Sequence, residues 1–162
     1  MHKFSSRFFI VVCLIWIADA ITKIWAVDSL SNGQTIEVFG TYLRFRLVYN
    51  TGGVFGTFQG NPMVFQFLTG FAIVFLFFYF IKTPEDSPLF RTSVSLIMGG
   101  AFGNFTDRFF RHGVVDFIDM GVGYYRWPTY NIADSFISTG AVLLAIAFYK
   151  IEKELKAKQA ES

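Results

Sequence analysis

The sequence predicts an all-α membrane protein of four transmembrane helices that carries a small surface β-sheet, and three observations predict it. Of the 162 residues, 53% are hydrophobic and 20% aromatic, including 22 phenylalanines, while only 16% are charged and the mean hydropathy is +0.45. Soluble domains have about a quarter of their residues charged, so this composition describes a single membrane domain over residues 1–162. Four apolar stretches approach the roughly 20 residues that a helix needs to cross the hydrocarbon core. Between the first two lies a segment whose apolar residues recur at every second position, the period of a half-buried strand.

The first span, residues 8–27, follows Lys3 and Arg7 and contains Ala18-Asp19-Ala20. That pattern imitates a secretory leader with an A-x-A cleavage site. Apolar residues resume at Ile21, Ile24 and Trp25, so the run outlasts a leader's apolar core and reads as a retained span. Its one cysteine, Cys13, cannot form an internal disulfide and reads as a small packing residue, because a thiolate in hydrocarbon is disfavoured.

A β-rich segment at residues 35–58 follows. Leu43, Phe45, Leu47 and Tyr49 alternate with Arg44, Arg46 and Val48, and residues 36–39 form a partner strand through a Gly40-Thr41 turn. The pair is expected to lie on the membrane surface. It leads into Asn50-Thr51-Gly52-Gly53-Val54-Phe55-Gly56, where glycines permit a tight backbone and Asn50 offers both a donor and an acceptor. An ordinary glycine loop closing a hairpin fits the local sequence equally well.

The second span, residues 62–81, is uncharged after Pro62 and reads as lipid-facing scaffold. The third, residues 92–109, is interrupted by Gly99, Gly100, Gly103, Asn104 and Asp107, which suits a helix buried among others. Gly99 and Gly103 form a small-xxx-small pair that admits a neighbouring backbone. Residues 110–130, rich in glycine and in Tyr124, Tyr125 and Trp127, read as an outer loop whose aromatics sit in the interfacial belt. The fourth span covers residues 132–149, and the Lys/Glu tail from Lys150 reads as a solvated helix end or frayed terminus.

Orientation follows from the cations. Lys3, Arg7, Lys82, Arg91, Lys150, Lys153, Lys156 and Lys158 fall in short segments on one side, against Arg44, Arg46, Arg111 and Arg126 on the other, with Arg108 at the boundary. Both termini are therefore expected in the cytoplasm. This topology brings Asp19, Asp107, Asp116 and Asp134 to one membrane face.

Ionisable residues in such a chain point to function, because each costs roughly 2.5–3.5 kcal/mol to insert at the centre of a span. Asn131 suits a helix N-cap with Asp134 at the third position, so capping alone accounts for one aspartate. Asp116 enters from a separate segment at the same depth. Two carboxylates brought together cannot both ionise cheaply, so one keeps a proton, and the pair can act as acid and base around one water. Asp19 and Lys23, spaced i and i+4, read as an ion pair near the interface with Lys23 snorkelling outward, either structural or in contact with substrate. Asn104, Asp107 and Arg108 either hydrogen-bond the catalytic loop or cap the third span. Asp119 rivals Asp116 for the catalytic position, His112 reads as an exposed loop residue, and Asp28 and Glu37 as surface charges.

Other chemistries are excluded by pattern. With two histidines and one cysteine, no pair has zinc-ligand spacing, and neither a G-x-S-x-G elbow nor a phosphate-binding Walker loop is present. No cofactor is called for. The net charge of +2, without a basic stripe outside the tail, argues against nucleic acid as a partner.

Five motifs in order resemble the lipoprotein signal peptidases, the signal peptidase II family of bacterial membrane aspartyl peptidases (family A8). They are Asp19-x-x-Thr22-Lys23; Asn50-Thr51-Gly52 with Phe55; Gly99-Gly100-Ala101-x-Gly103-Asn104-x-x-Asp107-Arg108; Val114-Val115-Asp116-Phe117; and Asn131-x-Ala133-Asp134-Ser135. The resemblance covers nearly the whole chain. It implies Asp116 and Asp134 as the catalytic dyad, with Asp19, Lys23, Asn50, Gly52, Asn104, Asp107, Arg108, Asn131 and Ala133 lining or bracing the site. It further implies four transmembrane helices, a periplasmic β-cradle, residence in the bacterial inner membrane with the site at the periplasmic face, and a lipidated prolipoprotein cut just before its diacylglyceryl-modified cysteine. Membrane lipid and a monomeric state complete the expectation. The chain departs from the family at His112-Gly113, at Tyr130 where phenylalanine is commoner, and at Gly53-Val54, and none of these touches the dyad. Two readings from other classes compete: an ion-coupled transporter, which would more often show inverted repeats and a midplane site, and a non-catalytic lipoprotein scaffold. Residues 50–58 and 121–127 are the candidate lids.

Overall fold

The computed structural model describes residues 6–52, 62–82 and 87–160. Its elements run α1 (Ser6–Leu30), β1 (Thr35–Phe39), β2 (Leu43–Asn50), α2 (Pro62–Lys82), α3 (Pro88–Arg111), β3 (Val114–Val122), β4 (Tyr125–Arg126) and α4 (Ile132–Ala160). Among the described residues, α1, α2 and α4 are each long and apolar enough to cross a membrane. The α2 helix leaves Phe67, Phe71 and Phe75 exposed, as its uncharged sequence implies for a scaffold facing lipid. Cys13 is likewise exposed on α1 and does not pack inside.

The α3 helix differs in kind. It packs against α1, α2 and α4, and it buries Ser93, Ser95, Asn104, Asp107 and Arg108 along its length. It also begins earlier than the apolar run: Ser87 caps it by accepting from the Phe90 amide at 3.4 Å, and Pro88 occupies the first turn. Arg91, expected in the preceding loop, is therefore helical. At the other end of the chain the Lys/Glu tail is helix as far as Ala160, so α4 has 29 residues and is about 44 Å long at 1.5 Å per residue.

Small residues set the helix spacing. A Cβ on Gly99 would lie 2.8 Å from Ile15 Cβ and 3.1 Å from the Val12 carbonyl of α1, so the Gly99/Gly103 pair does admit a neighbour. Gly100 faces the backbone of Ala133 and Gly103 faces the Asp19 carboxylate. On the other side of the α3–α4 contact, a Cβ on Gly140 would lie 2.7 Å from Ile97 Cγ1 and 2.9 Å from the Ser93 carbonyl. Away from the sheet, Phe8, Val12, Ile73, Phe90, Val94, Met98, Ala101 and Ala147 form one apolar core.

The four strands form one antiparallel sheet in the order β1-β2-β3-β4. The β1–β2 hairpin is the one the alternation predicts, turning at Gly40 with φ +47°. Residues 110–130, expected as loop, contain β3, which lies at the centre of the fold. Its first residues, Val114 to Phe117, are all buried, so they carry no period-two signal for a sequence reading to detect.

A second difference lies in β2. Phe45 stands opposite Ile118 and Val48 opposite Asp116, an extra residue in β2 that amounts to a bulge. Past it the alternation reverses: Tyr49, expected in the buried row, is exposed, and Asn50 comes level with Val114 beside Asp116. The sheet docks on the helices through a second core of Ala26, Leu30 and Phe117, flanked by Phe45, Leu47 and Ile132.

Gly140→Ala should lower stability in detergent by about 1–3 kcal/mol, because its new methyl overpacks the α3–α4 contact. The exposed Val142→Ala should leave the thermal unfolding midpoint nearly unchanged, and equal midpoints for the two variants would contradict this account of the packing.

Candidate active site

Where the sheet meets the helix ends, one buried ammonium joins four elements. Lys23 of α1 is 1% exposed and lies 2.6 Å from Asp19 Oδ2 and 3.0 Å from Asp107 Oδ2. It also donates to Asn104 Oδ1 at 3.0 Å. Outward snorkelling is thus corrected: three oxygens, two of them from α3, satisfy the ammonium inside the protein, so it need not reach water.

Each of those partners holds something else. Asp19 Oδ1 accepts from the Ala133 amide at 2.9 Å, where a carboxylate satisfies free N–H groups and the dipole at the start of α4. Asp107 Oδ2 accepts from the Val115 amide at 3.1 Å, tying β3 to α3. Asn104 Nδ2 donates to Asp134 Oδ1 at 2.8 Å. Arg108 donates to the Asn104 carbonyl and to the Gly52 carbonyl, both at 3.3 Å, and its guanidinium stands over the Phe65 ring.

Asn131 performs the cap that its sequence promises and adds a second task. Its Oδ1 accepts from the Asp134 amide at 2.9 Å, while its own amide donates to Asp134 Oδ2 at 3.3 Å, a reciprocal capping box. Its Nδ2 donates to Asp116 Oδ1 at 2.7 Å and to Asn104 Oδ1 at 3.1 Å. Asn50 Nδ2 donates to Asp116 Oδ2 at 3.1 Å, and Asn50 Oδ1 accepts from the Gly52 amide at 3.0 Å. Asp116 and Asp134 are therefore both bonded to Asn131, and Asn104 braces Asn131 and Asp134.

The backbone fixes this meeting. The Phe117 and Ile118 amides donate to the Tyr130 carbonyl at 3.0 and 2.8 Å, and the Tyr130 amide returns a bond to Ile118 at 3.1 Å. Residue 130 is thus pinned to β3 just before the cap of α4. Sequence reasoning missed this contact, and only the short spacing from Val114 to Asn131 hinted at it.

Both aspartates line a groove of about 820 Å³, with Asn50, Asn104 and Arg108 beside them and Ser135, Ile137, Ser138 and Thr139 continuing along α4. Asp116 is 2% exposed. Burial first, and then the nearby Asp134 charge, push its carboxyl up to about 7, against the opposing effect of its two amide donors.

Asp119, the rival position, is placed elsewhere. Its carboxylate is held by Arg44 Nη2 at 2.7 Å and Arg126 Nη2 at 2.8 Å, so its pKa is lowered despite burial. His112 is exposed at the end of α3 with φ +57°, and Asp28 and Glu37 are exposed as expected. Of the candidate lids, residues 53–58 lie outside the described residues. Residues 121–127 hold the β3–β4 turn, with Tyr124 and Tyr125 fully in the open.

Apolar helices long enough to cross a bilayer thus carry hydrogen-bonded carboxylates in a groove at their sheet end. The family described as Signal peptidase (SPase) II matches residues 11–150. A protein named lipoprotein signal peptidase from Clostridium novyi (strain NT) is 40% identical over 80% of this chain and 88% of its own. One of the same name from Halalkalibacterium halodurans is 32% identical over 92% and 96%. A solved structure described as a bacterial membrane enzyme, determined by the in meso method, superposes with a TM-score of 0.84 at 33% identity, covering 93% of each chain. The chain belongs to the signal peptidase II family.

Lys23→Met should cost about 3–5 kcal/mol, because it leaves Asp19 buried without its cation and Asp107 with only the Arg111 guanidinium at 3.5 Å. The measurement is chemical unfolding in detergent; a loss below about 1 kcal/mol, the size of an exposed pair, would show that the cluster is solvated.

Proposed function

We propose that Asp116 and Asp134 form a catalytic dyad that cleaves lipidated prolipoproteins just before the diacylglyceryl cysteine. The observation that carries this reading is that one amide, Asn131 Nδ2, and one capping box hold both carboxylates in a single groove. Asp116, with its raised pKa, supplies the acid of the pair, and Asp134 acts as the base.

The chemistry balances without a metal or a covalent intermediate. Asp134 takes a proton from water as its oxygen attacks the scissile carbonyl carbon, and Asp116 gives its proton to the carbonyl oxygen. In the collapse of the resulting gem-diol, Asp134 returns a proton to the leaving nitrogen and Asp116 recovers one from a hydroxyl. Asn131 and Asn50 keep the Asp116 oxygens oriented throughout, and Asn104 does the same for Asp134.

The fuller reading places α3 as a fourth span, shielded from lipid by α1, α2 and α4. Cations at Arg7, Lys82, Lys150, Lys153, Lys156 and Lys158 support cytoplasmic termini, which puts the sheet and the groove on the periplasmic side of the inner membrane. There the apolar signal segment lies in the bilayer beside α4, the sheet cradles the chain near the cut, and the diacylglyceryl group stays in lipid. The scheme uses groups of one copy alone, and on this reading the enzyme is a monomer. Transporters of the competing class bind their cargo near the bilayer midplane, whereas Asp134 stands in the first turn of α4.

Asp116→Asn and Asp134→Asn, each purified in detergent, should each lower cleavage of a lipidated precursor by at least about 10²–10⁴-fold. Retained cleavage by either would refute the dyad. The wild-type rate should fall about tenfold per pH unit above about 7, as Asp116 loses its proton and the acid is gone; a rate level to about pH 9 would contradict that assignment. Stability follows the same sign. Because the folded state holds the Asp116 proton more tightly, its contribution is full below 3.8 and is lost as pH rises through about 7.

A further inference from the structure

Beside the proposed dyad, the sheet carries three arginines around one carboxylate. Arg44 binds Asp119 Oδ2 through Nε at 3.1 Å and Nη2 at 2.7 Å. Arg126 binds Oδ1 through Nε at 3.0 Å and also donates to the Thr41 carbonyl. These two neutralise Asp119 and fill its lone pairs with close, charge-assisted bonds. Three guanidinium groups against one carboxylate leave a local excess of positive charge.

Arg46 carries that excess. Its Nε is 3.8 Å from Asp119 Oδ2, beyond hydrogen-bond reach, and its Nη2 makes one 3.3 Å bond to Thr129 Oγ1. A guanidinium has five donors in a fixed fork suited to a carboxylate. The side chain is 51% exposed, and among the described residues the Thr129 bond is the one hydrogen bond that uses this fork. The exposed carboxylate on the neighbouring strand, Glu37, is registered against Arg44, while Arg46 stands opposite Thr35.

Position turns this spare charge toward the reaction. Arg46 lines the same groove as Asp116 and Asp134, and its bond to Thr129 places it beside the chain that enters α4. Away from Thr129, Ile137 and Thr139 line the groove further along α4, the latter about 7.5 Å beyond Asp134 at 1.5 Å per residue. On the reading given above, on which this inference rests, the apolar signal segment takes the α4 end. The residues after the lipidated cysteine must then leave past Arg46.

We propose that Arg46 is a specificity-determining residue that favours an acidic side chain within the first few positions after the lipidated cysteine. Paired lipidated precursors differing only by Asp or Asn at the second and third mature positions test this. Wild-type kcat/KM should be about fivefold higher for the Asp precursor, chiefly through KM, as befits a half-exposed ion pair. The ratio should shrink between about 50 and 500 mM salt. Arg46→Gln should bring the ratio close to one, and Arg46→Lys should restore part of it.

Equal wild-type cleavage of both precursors would overturn the proposal and leave the peptidase reading intact. So would a preference that survives in Arg46→Gln. A loss in Arg46→Gln that is equal for both precursors and grows with the phosphatidylglycerol content of the vesicles would assign Arg46 to lipid headgroups, and would also overturn it. Failure of the wild type to cut either precursor would defeat the peptidase reading, and this inference with it.

Discussion

A single ammonium group in a nearly anhydrous setting governs the arrangement of everything polar in this molecule. Lys23 is held by carboxylates that themselves start α4 and anchor β3, and by an amide that holds Asp134. Burying such a charge alone would cost several kcal/mol, so the cation can be inside only when α1 and α3 are paired, and the same partners then hold the start of α4 and β3. The cluster therefore acts as a check on assembly: an incomplete bundle leaves an unmatched charge in an apolar medium. Close approach by Gly99, Gly100 and Gly103 is what lets the partners reach one another, since any larger side chain there would meet the α1 or α4 backbone or the Asp19 carboxylate itself.

The two aspartates of the groove inherit their placement from this scaffold by different routes. Asp134 is set by helix capping, a local rule, whereas Asp116 is set by a strand whose register depends on β2 and on the return of residue 130. Their meeting is thus a backbone property first. Asn131 then adds the side-chain link, because the residue best suited to cap α4 also has a free amide to offer Asp116.

Much of this was legible in the sequence where the cause is local. The apolar runs marked the helices, the alternation at Leu43 to Leu47 marked the β1–β2 hairpin, and Asn131 with Asp134 marked the start of α4. What was not legible arises from long-range contact. β3 read as loop because burial on both faces removes its periodicity. Lys23 read as snorkelling because its spacing from Asp19 is visible, while Asn104 and Asp107 lie more than eighty residues away in the chain. Tyr49 was placed on the wrong face because a bulge between Phe45 and Val48 leaves no mark in the hydrophobic pattern. The five motifs, taken together, identified the family when none of them could do so alone.

The lipid-exposed phenylalanines of α2 touch none of the groups that hold the two carboxylates at their spacing. Exchange among apolar types on that exterior leaves the polar cluster's own bonds unchanged. The chain differs from a solved relative at about two thirds of the positions compared and still superposes on it over nearly its full length. The molecule is in effect a fixed instrument in a casing that has only to be greasy.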